Sequence, residues 1–251
     1  MKFNTLTKSL QILDLFLSAN LGENDISRIM KMPRSTAYKY LSILRQYRLL
    51  DYDSKSGQYK LGSKFLEFSG AYRSHSKISQ VAFPFLKKLY AEVQETVTLD
   101  VLSNDEYYTL EAVQKEDGIA FIAMRGYRLP LHCGASGRLL LAFSEKEDIE
   151  SYLRKGRLKG FTENTMTDKD RLRKKLSEIR QTGYSYSKGE VAAEGWALAA
   201  PVFDHLGKIC ASLCILSTIY RMKKETIEQV RDALIKYAKE ITVNLGFVEK
   251  D

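Results

Sequence analysis

The sequence predicts an α+β protein: a small winged helix-turn-helix unit followed by a larger domain built on an antiparallel sheet. Three observations carry this. Residues 26–44 hold two short apolar-faced helical segments parted by a proline, residues 49–61 alternate around a turn-rich stretch, and beyond residue 96 strand-like and helical runs follow one another in the order of an α+β domain.

Leu10, Leu13, Phe16 and Leu17 read as the apolar stripe of a scaffold helix. The next helix places Ile26 and Ile29 on one face, and Lys31-Met32-Pro33 breaks the pattern in a turn. Ser35 or Thr36 can cap the second helix, whose Ala37, Tyr40, Leu41 and Leu44 fall at i, i+3, i+4 and i+7. Its other face carries Arg34, Ser35, Thr36, Tyr38 and Lys39, polar groups that can reach phosphates and base edges in a major groove. A plain helical hairpin with a solvated basic face would show the same pattern. The following segment argues against that: residues 49–52 and 58–61 read as strands around the turn 53–57, a wing ending at Gly62. Lys55 and Lys60 flank the wing, where they touch sugar-phosphate or simply stay solvated, and each reading fits equally.

Residues 1–62 are thus the expected DNA-binding unit, 63–76 a linker helix and 77–251 the second domain. The linker carries Phe65, Leu66 and Phe68, aromatic and aliphatic groups available to pack against a second copy of the chain. Charge follows the same division. Residues 1–75 hold twelve Lys and Arg against six Asp and Glu, net +6, leaving 27 against 25, net +2, of the chain's +8. A cationic unit neutralises phosphates and releases counterions, which a nearly balanced domain has no need to do.

In the larger domain an amphipathic helix at 81–93 precedes strands at 96–102, 107–113 and 119–125, an antiparallel meander. Helices at 137–143, 146–155 and 168–181, strands at 198–204 and 209–217, and a helix at 223–245 complete it. No run of about 18 apolar residues is present to span a bilayer, and the first residues lack a small-residue cleavage site, so a cytoplasmic protein is expected. Cys133, Cys210 and Cys214 have no disulfide-framework spacing and suit a reducing compartment.

The segment from Pro130 to Arg138 combines His132, Cys133 and Ser136 with small residues ahead of a helix. It is not a nucleophile elbow, because Arg138 stands where the final glycine of G-x-S-x-G belongs, and a serine triad would have to draw on His205. Cys210 and Cys214 in one strand would stand about 13 Å apart, too far to share a metal. No cofactor or metal is expected. The segment can instead turn the backbone N–H groups of a helix start, capped by Ser136, toward a small organic anion. A capped helix with small residues for packing fits the same window.

Taken together, SLQILDLF, ISRIMKMPRSTAYKYLSIL, QYKLG, YRLPLHCGASGRLLLA and ALAAPVFDHLGKICASL resemble the IclR family of bacterial transcriptional regulators over nearly the whole chain. The resemblance implies a GAF- and PAS-like sensor fold for the second domain, homodimers or dimer-based tetramers, near-palindromic double-stranded operators and a small effector, commonly a carboxylate. By matching positions it implies a ligand loop at Ala135 and Ser136, with partners at Ser187 to Glu190 and at Ala197 and Leu198. Trp196 beside them either lines the cavity or packs the sheet. The chain departs from the family in having Glu194 where a glycine is usual, with Gly195 one place later, and Arg138 where lysine is usual. The expected function is a metabolite-responsive transcription factor without catalysis. An enzyme acting on a small acid and a protein-only interaction module are the rival classes; recovery of the ligand unchanged opposes the first and a steep salt dependence opposes the second.

Overall fold

The computed structural model describes residues 4–114, 123–156, 158–221 and 224–247. The chain divides into two compact units, Met1–Ser76 and Lys77–Asp251.

The first unit contains helices α1 (Asn4–Leu15), α2 (Glu23–Ile29) and α3 (Arg34–Gln46), the hairpin β1 (Leu50–Asp53) and β2 (Gln58–Leu61), and α4 (Lys64–His75). Its core is Ile12, Phe16, Ile26, Ala37, Leu41, Leu44, Leu50 and Tyr59. The stripe expected for α1 is shifted. Ile12 and Phe16 point inward, Leu10 lies on the solvent side of the helix, and Leu17 lies in solvent beyond the helix end at Leu15. Ile29 is likewise exposed, leaving Ile26 as the anchor of α2.

No side chain caps α3, contrary to the role expected of Ser35 or Thr36. Pro33 takes the cap position, its carbonyl accepting from the N–H groups of Thr36 and Ala37 at 2.9 and 3.1 Å. Proline already has the required φ and no N–H to leave unpaired, so the helix starts directly after it. In the hairpin, Leu50 pairs with Leu61 and Asp51 with Lys60. Asp53 accepts from the Lys55 N–H and the Ser56 hydroxyl at 2.9 and 2.8 Å, fixing the turn. Main-chain bonds between Tyr59 and Leu21 tie the wing back to the helices.

The second unit is a six-stranded antiparallel sheet with helices on both faces. Its strands are β3 (Thr96–Ser103), β4 (Glu106–Val113), β5 (Arg128–Pro130), β6 (Ser185–Lys188), β7 (Gly195–Phe203) and β8 (Ile209–Thr218), in the order β5-β4-β3-β8-β7-β6. Helices α5 (Lys77–Val93) and α9 (Lys224–Asn244) cover one face through Leu86, Leu89, Leu234 and Ile241. Helices α6 (Gly134–Phe143), α7 (Lys146–Arg154) and α8 (Lys169–Thr182) cover the other through Leu139, Leu140, Leu153 and Leu172.

Of the strand expected at 119–125, residues 119–122 lie outside the described residues, and Arg125 and Gly126 form a turn. The third strand of the meander is β5, pairing with β4 from Glu106–Pro130 to Tyr108–Arg128. Strand β6 was not anticipated, and β7 begins three residues earlier than expected. Pro201 is tolerated within β7 because β6 reaches no further than Ala199, leaving that stretch with a free edge.

Candidate functional site

Beside the first turn of α6, the second unit holds a cavity of about 100 Å³. One water needs roughly 15 Å³, so this space takes a small organic molecule. Strand alternation builds the wall. Thr98 and Asp100 of β3, Thr109 of β4, Ala197 of β7 and Cys214 and Leu216 of β8 line it from the sheet. Gly134, Ala135 and Ser136 contribute the start of α6, and Ser187, Glu190 and Val191 approach from β6 and the turn after it. Ala123, Met124 and Tyr127 complete the lining from a loop tied to β4: the Ala123 N–H donates to Gln114 Oε1, and Arg125 donates to Glu111 Oε2 and to the Ala112 carbonyl.

Asp100 forms the polar centre. Ser136 Oγ donates to its Oδ2 at 2.6 Å and Thr98 Oγ1 to the same oxygen at 3.0 Å, while Thr109 Oγ1 donates to Oδ1 at 2.8 Å. Burial raises its pKa to about 6, the three hydroxyl bonds opposing that rise. Ser136 therefore does not take the capping role expected of it. Cys133 holds the cap position without a side-chain bond, and the serine hydroxyl turns to Asp100.

Arg138, which stands where the family usually has lysine, is 1% exposed and lies outside the cavity lining. Its guanidinium pairs with Glu190 and donates to the Tyr186 carbonyl at 2.7 Å. Among the described residues, no Lys, Arg or His lines the cavity. Of the anticipated ligand residues, Ala135, Ser136, Ser187, Glu190, Trp196 and Ala197 meet at this cavity, and Leu198 does not. Alternation sends Leu198 to the α5 and α9 side. The Trp196 indole packs in that same core, edge-on to Tyr186 at 5.8 Å, so the residue borders the cavity while its ring fills the sheet's other face.

Asp100, Thr98 and Thr109 lie outside the residues that the sequence points to, and Cys214 stands out there only as a thiol. The signal was Thr96-Thr98-Asp100, three polar residues at strand spacing between Val97, Leu99 and Val101.

The nucleophile-like groups nearby are otherwise engaged. His132 contacts the Tyr152 hydroxyl at 2.7 Å and the Lys159 carbonyl at 2.9 Å. Burial pushes the Cys133 thiol up to about 12. Among the described residues, no group of three or more His, Cys, Asp or Glu is placed to hold a metal ion, and no helix is long and apolar enough to cross a membrane.

In the first unit, Arg34, Ser35, Tyr38 and Lys39 are exposed on α3 and Thr36 is half-buried. Tyr38 keeps 52% of its surface in solvent. Arg34 meets Glu23 at 3.3 Å, an exposed pair of small energetic weight. Lys55 projects from the wing turn and Lys60 stands opposite Asp51 on β2, both exposed.

An exposed helix-turn-helix face with a wing, joined in one chain to a sheet domain with a metabolite-sized cavity, defines the class of DNA-binding regulators with an effector domain. Residues 70–243 match the profile of the bacterial transcriptional regulator IclR C-terminal domain, and residues 5–54 match the IclR helix-turn-helix domain. The chain belongs to the IclR family of bacterial transcriptional regulators. It is 29% identical over 245 residues to the HTH-type transcriptional regulator KipR of Bacillus subtilis, covering 96% of this chain and 98% of that one. The crystal structure of Thermotoga maritima IclR superposes with a TM-score of 0.82 at 28% identity, covering 98% of this chain and all (100%) of that one. An IclR homologue from Microbacterium hydrocarbonoxydans, solved in complex with 4-hydroxybenzoate, gives 0.82 at 25% identity, covering 96% of this chain and 99% of that one.

Proposed function

We propose that this protein is a cytoplasmic transcription factor, active as a homodimer or dimer-based tetramer, whose affinity for a near-palindromic operator is set by a small metabolite held beside Ser136. The observation that carries it is the cavity at the start of α6, in the same chain as an exposed recognition face. Arg34, Ser35, Thr36, Tyr38 and Lys39 enter the major groove, and Lys55 and Lys60 of the wing approach the flanking backbone. The effector acts through its preference for one of two conformations of the regulator, since equal affinity for both would shift nothing. The protein needs no catalytic group for this, and its effector leaves unchanged. The resemblance implies an organic acid, and 4-hydroxybenzoate in the Microbacterium homologue is one. The effector's charge class in this chain turns on Asp100.

The test is a gel-shift titration on an operator selected from random duplexes. Replacing Arg34 and Lys39 with Ala is expected to weaken binding at least tenfold and to lower the dependence of log affinity on log salt by about two. Unchanged affinity would remove both residues from the interface. Ala197→Trp, which fills the cavity, is expected to keep operator binding and abolish the response to metabolite mixtures.

A further inference from the structure

The positive end of a helix is an ordinary seat for an anion, because its first N–H groups are unpaired and its dipole places about half a positive charge there. In this chain a carboxylate of the protein stands beside that seat, held by side-chain hydroxyls and not by the helix N–H groups. Asp100 reaches the first turn of α6 through Ser136, at 2.6 Å, and is 3% exposed. Three hydroxyls serve its two oxygens, and Ser212 donates in turn to Ser136 at 3.3 Å. A hydroxyl that commits its hydrogen to a carboxylate offers only lone pairs to anything else.

The second carboxylate of the lining, Glu190, is already matched by Arg138. Arg125, behind the loop carrying Ala123, Met124 and Tyr127, is engaged with Glu111. No cation among the described lining residues remains for a ligand. The half charge of a helix start does not offset the full charge of Asp100, which is ionised at pH 7.5. An entering carboxylate would therefore meet a like charge in a poorly solvated space, the arrangement that forces one of two neighbouring carboxyls to take a proton.

We infer that the effector site is an acceptor site, taking an uncharged or cationic molecule that donates hydrogen bonds to Asp100 and its ring of hydroxyls, such as an amide, an alcohol or an amine, and selecting against carboxylate anions. This rests on the reading of the cavity as the effector site, and it departs from the acid that the family resemblance implied. The apolar part of the lining, Leu129, Val191 and Leu216, suits the hydrocarbon body of such a molecule.

The experiment uses the full chain at pH 7.5 with shape-matched series: 4-hydroxybenzoate, 4-hydroxybenzamide and 4-hydroxybenzylamine, and an aliphatic series of lactate, lactamide and 1-amino-2-propanol. Binding is read by calorimetric titration and thermal shift. The expected result is that the amide or amine of a series binds at least tenfold tighter than its acid, and that Asp100→Asn reduces that ratio to threefold or less. An acid that binds tightest in its series, or no binding by any amide or amine, overturns the proposal. So does a ratio that persists in Asp100→Asn, with operator binding confirming that the variant is folded; if it does not fold, the wild-type ranking decides. Ala197→Trp separates the two readings. If acids bind tightest and Ala197→Trp abolishes their binding, the cavity stays an effector site and the charge assignment falls. If Ala197→Trp changes no probe's binding, the cavity reading falls as well.

Discussion

At the scale of residues, Asp100 has the most to say about solution behaviour. Its pKa of about 6 in the folded chain stands above the 3.8 of an unperturbed aspartate. Between those values the native state holds a proton that the unfolded chain has released. Asp100 therefore favours folding most below pH 4, and that contribution is lost as pH rises through 4 to 6, roughly 3 kcal/mol at most. Asp100→Asn lacks this titration. Its melting temperature is expected to gain on wild type between pH 4 and 6.5 and then to hold a constant offset, measured by calorimetry across that range. A constant offset throughout would show that Asp100 titrates normally. Asp100 was hard to see in the sequence for a physical reason. Polar residues at period two normally mark a solvated sheet face, and only the covering of that face by α6 makes them the floor of a cavity. Ser187, Glu190 and Ala197 were legible only through the family resemblance, while the helix start at Ser136 could be read from the residues but not told apart from a common packing element. The pair of Arg138 with Glu190 was not legible, because the two lie 52 residues apart in the sequence.

At the scale of elements, the helix pair and wing could be read directly, since each helix carries its own periodicity and each turn its own breaker. The elements that escaped are β5 and β6, three and four residues long, whose existence depends on neighbours rather than on their own pattern. Close approach between elements is set at two glycines. A Cβ on Gly137 would sit 2.7 Å from the Leu131 carbonyl oxygen and 2.8 Å from Tyr107 Cε1, so α6 would have to move off the sheet. Gly137→Ala is expected to cost about 1–3 kcal/mol and to weaken effector binding, read as a lower melting temperature and a higher dissociation constant. At Gly62 the added carbon would meet the Arg48 carbonyl oxygen at 2.3 Å, where the wing closes on the turn after α3. Gly62→Ala should destabilise the first unit and weaken operator binding while leaving effector affinity intact. Equal losses in both assays would contradict that separation.

For the whole molecule, each unit encloses a core of its own, so each is expected to unfold in its own step. Helix α4, the last element of the first unit, buries no side chain, and Leu66, Phe68 and Tyr72 stand exposed along it. Limited proteolysis is expected to cut first within residues 64–76 and to release a C-terminal fragment that still binds effector; first cleavage inside the sheet domain would count against it. A last consequence follows from the thiols. Burial pushes Cys133 and Cys210 up to about 12 and Cys214 further still, so near neutrality almost none of the sulfur is present as the nucleophilic thiolate. Oxidation through these three cysteines is therefore expected to be slow: brief exposure to dilute peroxide should leave all three titratable by a thiol reagent after unfolding.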